Sequence, residues 1–187
     1  MTILLIILPL ILGGALNMAF VKSAIFNSLK KPIDNNKVLK DGKRLFGDNK
    51  TYKGFLGMII TTSIGMNICG LICYAFNLST TSLLYEKYTN NFLNNTIIGA
   101  ILGLAYISFE LPNSYMKRRV DIEPGKSKNL FFTFIDQIDS LIGCVIVMAF
   151  LFDKPFYYYI FLILIGAVAH YLVNIILYAL KLRKNLW

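Results

Sequence analysis

Charge is scarce in this chain. Asp, Glu, Lys and Arg make up 16% of 187 residues against 56% hydrophobic ones, too little to cover a water-facing surface. With a mean hydropathy of +0.60, the chain is expected to take the bilayer as its solvent. Cysteine is equally sparse: Cys69, Cys73 and Cys144 all lie inside apolar runs, which excludes a disulfide framework and argues against a metal knuckle. Cys69 and Cys73 share a helix face and read as small residues packing between helices. No basic segment precedes the apolar N-terminal stretch; its first positive charge, Lys22, follows it, the reverse of a secretory leader, so the stretch is expected to remain as a helix. No Pro/Ser-rich linker divides the chain, so one membrane-embedded domain is expected over residues 1–187. An inverted repeat of the transporter kind is not visible.

What is present is a series of apolar runs long enough to cross about 30 Å of hydrocarbon. They fall near residues 3–21, 55–77, 96–112, 132–152 and 156–180 and predict an all-α polytopic bundle of about five transmembrane helices. Basic residues are distributed unevenly between the connections. The loops 22–54 and 114–131 and the tail after Leu180 hold seventeen, including Lys128, Arg183 and Lys184, while Lys87 and Lys154 alone fall on the other side. This asymmetry predicts an N-out, C-in orientation with both long loops cytoplasmic. Of the acidic residues only Glu86 and Asp153 lie outside, so the whole formal charge of +9 belongs to the inner face. Such a face attracts anionic headgroups or phosphorylated ligands, although a charge bias that only sets topology accounts for part of it. The linker 78–95 is polar without convergent charge and reads as a connector.

Three groups of residues can carry chemistry. In the first loop Asp41, Gly42, Lys43, Arg44, Gly47, Lys50, Thr51 and Gly54 alternate glycines with cations, so backbone can approach an anion that the side chains neutralise. It is not a Walker A loop, since Asp48 and Asn49 separate Gly47 from Lys50 and no strand precedes it; a solvated juxtamembrane segment is the alternative. In the second, Glu110, Ser114, Lys117, Arg118, Arg119, Pro124 and Gly125 lead to Asp136 and Asp139, spaced i, i+3 on one face of the next helix. Two carboxylates beside hydrocarbon require partners: Mg²⁺, which favours a few carboxylates plus phosphates and water, or structural ion pairs with Lys117, Arg118 or Arg119. The third comprises His170, the only histidine, and Asn174 one turn later, polar groups expected to face the bundle interior.

Taken in order, Pro32-Ile33-Asp34, Asp41-Gly42 with Arg44, Gly47, Lys50, Thr51 and Gly54, Ser114 with Lys117-Arg118-Arg119, Pro124-Gly125, Asp136-Gln137 with Asp139, and His170 with Asn174 resemble the CDP-archaeol synthases, relatives of bacterial phosphatidate cytidylyltransferases. The resemblance runs from Pro32 to Asn174 and implies the same five-span layout. Where the family pattern has a glycine and an aspartate ahead of the Ser114 segment, this chain has Phe109-Glu110, a carboxylate one methylene longer, and it adds Pro112.

The resemblance implies that a membrane lipid phosphate, unsaturated archaetidic acid or phosphatidic acid, attacks the α-phosphorus of CTP to give a CDP-lipid and pyrophosphate. Asp136, Asp139, Lys117 and Arg118 would be catalytic. Asp136, Asp139 and Glu110 would hold Mg²⁺. Asp34, Asp41, Arg44, Lys50, Thr51, Ser114, Arg119, His170 and Asn174 would bind substrate. A homodimer is the candidate assembly, and no nucleic-acid partner is expected. The rivals are a small transporter or channel, which requires titratable residues staggered in depth, and a non-catalytic relative that binds lipid phosphates.

Overall fold

The computed structural model describes residues 2–79, 82–127 and 129–181, so Lys128, Arg183 and Lys184 of the charge count lie outside the described residues. Six helices account for most of these: α1 (Thr2–Lys22), α2 (Tyr52–Ala75), the single turn α3 (Leu84–Lys87), α4 (Phe92–Arg119), α5 (Leu130–Leu151) and α6 (Phe156–Ala179). Five of them, all but α3, are long and apolar enough to cross a membrane. No strand occurs among the described residues; the first loop is folded back by two isolated antiparallel bridges, Pro32 with Thr51 and Val38 with Arg44.

The helix ends follow from local chemistry. Thr51, Asn91 and Asn129 are extended and accept hydrogen bonds from the N–H groups of Gly54, Asn94 and Phe132, which caps α2, α4 and α5. Asn77, Asp121 and Lys181 take positive φ just beyond α2, α4 and α6, and the N–H groups of Leu78 and Ile122 return to the carbonyls of Cys73 and Lys117 at 2.8 and 2.9 Å. The one large departure from the sequence expectation is α4, which does not stop near residue 112 but runs to Arg119. Pro112 removes one backbone donor inside it without ending it. Ser114, Lys117, Arg118 and Arg119, expected in a loop, therefore stand on the last turns of a helix.

α2 packs against α1 and α4, α4 against α5, and α6 closes the bundle against α5 and α1. The α2–α4 approach is close because of Gly99, where a Cβ would lie 2.5 Å from the Ser63 Cα. Ile6, Met66, Leu102, Cys144 and Met148 fill the core, and all three cysteines are free and buried, as expected of packing residues. Leu71, Phe150 and Phe156 stand outward and exposed, as helices bathed in lipid require.

Candidate active site

At the end of the bundle where α1, α4 and α6 finish and α2 and α5 begin, a cavity of about 400 Å³ opens between helices and loops. Of the residues singled out in the sequence, Lys50, Thr51, Glu110, Ser114, Lys117, Arg118, Asp136, Asp139, His170 and Asn174 line it. Asp34, Asp41, Arg44 and Arg119 do not.

Asp136 and Asp139 enter from the first turns of α5, and Asn113 joins them. Its Nδ2 donates to Asp136 Oδ1 and to Asp139 Oδ2, both at 2.7 Å, so the two carboxylates turn an oxygen toward one point. Lys117, one turn further along α4, donates to Asp136 Oδ1 and Oδ2 at 2.7 and 2.5 Å, and Ser127 Oγ donates to Asp136 Oδ2 at 2.7 Å. Glu110 accepts from Lys50. Burial pushes the Lys50 ammonium toward the neutral form, but Glu110, with Asp139 and Asp136 behind it, outweighs burial and holds it above the ordinary lysine value. Each carboxylate thus has a donor, as groups taken out of water must.

Arg118 differs from these. It is 8% exposed, lines the cavity, and makes no side-chain hydrogen bond or ion pair among the described residues; its Nε is buried without a partner. A buried guanidinium that no carboxylate contacts is costly, and its fork of donors matches a phosphate.

The four residues outside the cavity hold the first loop together and tie it to the end of α4. Asp34 accepts from Arg44 Nη2 at 2.7 Å, from Arg44 Nε at 3.3 Å, and from the N–H groups of Phe46 and Asn36 at 3.0 and 3.1 Å. Burial raises its pKa, yet these donors prevail and hold it below the usual carboxylate value. Asp41 is likewise lowered, first by the Lys43 N–H and then by Arg119, which also donates to the Arg44 carbonyl. Lys43 reaches across to Asp121 at 2.7 Å and to the Arg119 carbonyl at 2.8 Å. Gly47, with φ of 145°, sits where a Cβ would lie 3.0 Å from the Pro124 ring. The result is a clasp that fixes Lys50 and Thr51 over the cavity.

The floor is a polar network within the helices. His170 Nδ1 lies 3.2 Å from the Gln137 carbonyl, Asn174 donates to Gln137 Oε1 at 3.0 Å, and Tyr106 OH lies 3.5 Å from His170 Nε2. Tyr106, His170 and Asn174 also line a smaller, mostly apolar cavity of about 70 Å³ bordered by α1 and α6. Sequence reasoning gave no role to Asn113, Gln137 or Tyr106, although Gln137 stands inside the Asp136–Asp139 motif. For Asn113 a signal existed: it lies three residues after Glu110 and four before Lys117, on the face both share.

The donor chemistry suits a hard divalent cation. Two carboxylate oxygens converge on one point, and Asn113 Oδ1 is buried there without a partner. Among the described residues no group of three or more His, Cys, Asp or Glu could hold a metal unaided, so the expected trio of Asp136, Asp139 and Glu110 is not assembled; Glu110 is taken by Lys50. Mg²⁺ tolerates this, since it prefers one or two carboxylates and completes its shell with phosphate and water.

Comparison with known proteins points the same way. Residues 1–187 match the family CarS-like, CDP-archaeol synthase. The CDP-archaeol synthase of Pyrobaculum islandicum is 31% identical over 160 residues, 85% of this chain and 84% of that protein. That of Methanocaldococcus jannaschii is 31% identical over 157 residues, 83% of each chain, and that of Methanococcus vannielii 32% identical over 157 residues, 84% of this chain and 83% of that one. A solved structure described as an intramembrane enzyme for archaeal membrane lipids biosynthesis shares the fold, with a TM-score of 0.63 at 21% identity over 92% of both chains. With the whole length matched and ordered motifs converging on one cavity, this chain belongs to the CDP-archaeol synthase family.

Proposed function

We propose that this protein is a membrane cytidylyltransferase that moves CMP from CTP onto a lipid phosphate bearing archaeal isoprenoid ether chains. A phosphate oxygen of the lipid bonds to the α-phosphorus of CTP, the bond from that phosphorus to the β-phosphate oxygen breaks, and pyrophosphate departs. The observation that carries this reading is the cavity wall itself: Arg118, buried and unpaired, stands with Lys50 and Lys117 around the carboxylates Asp136 and Asp139. Phosphoryl chemistry of this kind needs positioning and charge neutralisation more than covalent help. A lipid phosphate near neutral pH is already anionic enough to attack, so no general base is required.

Asp136 and Asp139 are the groups that would hold Mg²⁺, which when bound neutralises triphosphate oxygens and makes the α-phosphorus more electrophilic. Arg118 binds phosphate through charge-assisted hydrogen bonds. Lys50 and Lys117 exchange carboxylate partners for triphosphate oxygens as substrate enters, and Thr51 and Ser114 offer hydroxyls beside them. The apolar cavity bordered by α1 and α6 meets the polar one at Tyr106 and His170, which suits a ligand with a charged head and a hydrocarbon tail. The charge asymmetry supports placing this end of the bundle on the cytoplasmic side, where CTP is available. Convergence of Glu110, Asp136 and Asp139 in one cavity gives no support to an ion path of staggered carboxylates.

The test is incorporation of labelled CTP into lipid by the purified chain, using unsaturated archaetidic acid and phosphatidic acid as separate acceptors. Product is expected with the ether lipid, and a preference for phosphatidic acid would overturn the lipid assignment. Asp136→Asn and Asp139→Asn should each lower turnover on the order of 100-fold or more while the protein stays folded. Turnover retained in both variants would remove the carboxylates from the chemistry.

A further inference from the structure

Asn113 stands where the two cavity carboxylates come closest to sharing a ligand. Its Nδ2 donates one hydrogen bond to Asp136 Oδ1 and one to Asp139 Oδ2, both at 2.7 Å, so both protons of the amide are spent on oxygens that face the same point. The other end of the amide is unsatisfied: Oδ1 is buried without a partner on a residue 8% exposed. A half-turn about the terminal torsion, which is broad and nearly two-fold, exchanges oxygen for nitrogen in almost the same volume.

The surrounding groups leave this oxygen as the available third donor. Glu110 is engaged by Lys50, and Asp136 Oδ2 already accepts from Lys117 and Ser127, while Asp136 Oδ1, which Lys117 also reaches at 2.7 Å, and Asp139 Oδ2 are the oxygens that the Asn113 amide covers. A point bordered by two carboxylate oxygens accepts either a hydrogen-bond donor or a cation. An amide there can serve both conditions, as donor without the ion and as oxygen ligand with it. The rigid α4 backbone one turn beyond Glu110 places it for either role.

We propose that Asn113 is the third protein group of the divalent-cation site, presenting Oδ1 to the ion where it presents Nδ2 to the carboxylates in the ion's absence. This rests on the reading of Asp136 and Asp139 as the ion's carboxylates.

Binding of Mn²⁺ to the purified full chain in detergent, followed by loss of the free-ion electron paramagnetic resonance signal, tests this without turnover. The wild type is expected to bind Mn²⁺, and Asp136→Asn to lose it. Asn113→Ala should weaken binding about tenfold or more, whereas Asn113→Asp, which keeps an oxygen there, should bind at least as tightly as wild type. Size-exclusion profiles report folding, and if Asn113→Ala does not fold, Asn113→Asp alone decides. Should Asn113→Ala bind as wild type does, or Asn113→Asp weaken as much as a loss of contact would, Asn113 is only a donor that spaces the carboxylates and the proposal falls. Absence of Mn²⁺ binding by the wild type, or its survival in Asp136→Asn, would instead overturn the underlying reading of the carboxylates, and the proposal with it.

Discussion

Lys50 arrives from a loop and Glu110 from the interior of α4, sixty positions apart in sequence, yet their side chains meet at 15% and 22% exposure. Each makes the other tolerable: an ammonium or a carboxylate left alone at that burial must be rehydrated or neutralised. Glu110→Ala and Lys50→Ala should therefore be non-additive in thermal stability, the double variant losing less than the sum of the singles, with a coupling of about 1–3 kcal/mol. Additive losses would show that the pair is not a unit. The aromatic beside Glu110 has its own counterpart. Phe109 packs against Gly143, where a Cβ would lie 2.6 Å from the ring, so the Phe109-Glu110 departure is accommodated by a missing side chain on α5.

Among the elements, the first loop is the least regular and the most dependent on a single carboxylate. Asp34 gathers two guanidinium nitrogens and two backbone donors. Because its folded pKa is depressed, its contribution is fully present above the ordinary value of 3.8 and is lost as pH falls through the lower folded value. Wild-type loop should resist trypsin at neutral pH and become open to pepsin at Leu45 and Phe46 only in strong acid. Asp34→Asn should expose Lys37, Lys40 and Lys43 to trypsin at neutral pH, and equal cleavage rates in the two proteins would show that the carboxylate does not hold the loop. The α2–α4 crossing depends on the opposite kind of feature, a side chain that is missing. Gly99→Leu forces a Cβ to 2.5 Å from Ser63 Cα, so the helices must part. A loss of about 1–3 kcal/mol, read as a lower thermal midpoint in detergent, is expected.

For the whole molecule, an orientation follows from charge and can be tested without touching the site. The three native cysteines are buried, so a new exposed thiol reports alone. Thr89→Cys, between α3 and α4, should react with an impermeant thiol reagent in intact cells, and Lys40→Cys, in the first loop, should not. The reverse pattern would place the cavity on the side away from CTP and defeat the proposed function.

The five spans, the absence of disulfides and the one-sided distribution of charge were legible because each is a property of local composition: a run of about twenty apolar residues has few other fates. The order of the loop and helix motifs also identified most of the polar side chains that line the cavity. Distance was not legible. Four residues of those motifs, Asp34, Asp41, Arg44 and Arg119, hold the first loop together and to the end of α4 instead of lining the cavity, and nothing in their spacing separates a phosphate contact from such an ion pair. The apolar run ended near residue 112, but the turns of helix beyond it are retained by side chains that reach the carboxylates of α5. The unpaired state of Arg118 and the place of Asn113 between two carboxylates were decided only by tertiary structure, since a missing partner and a shared one both depend on which helix ends are brought together.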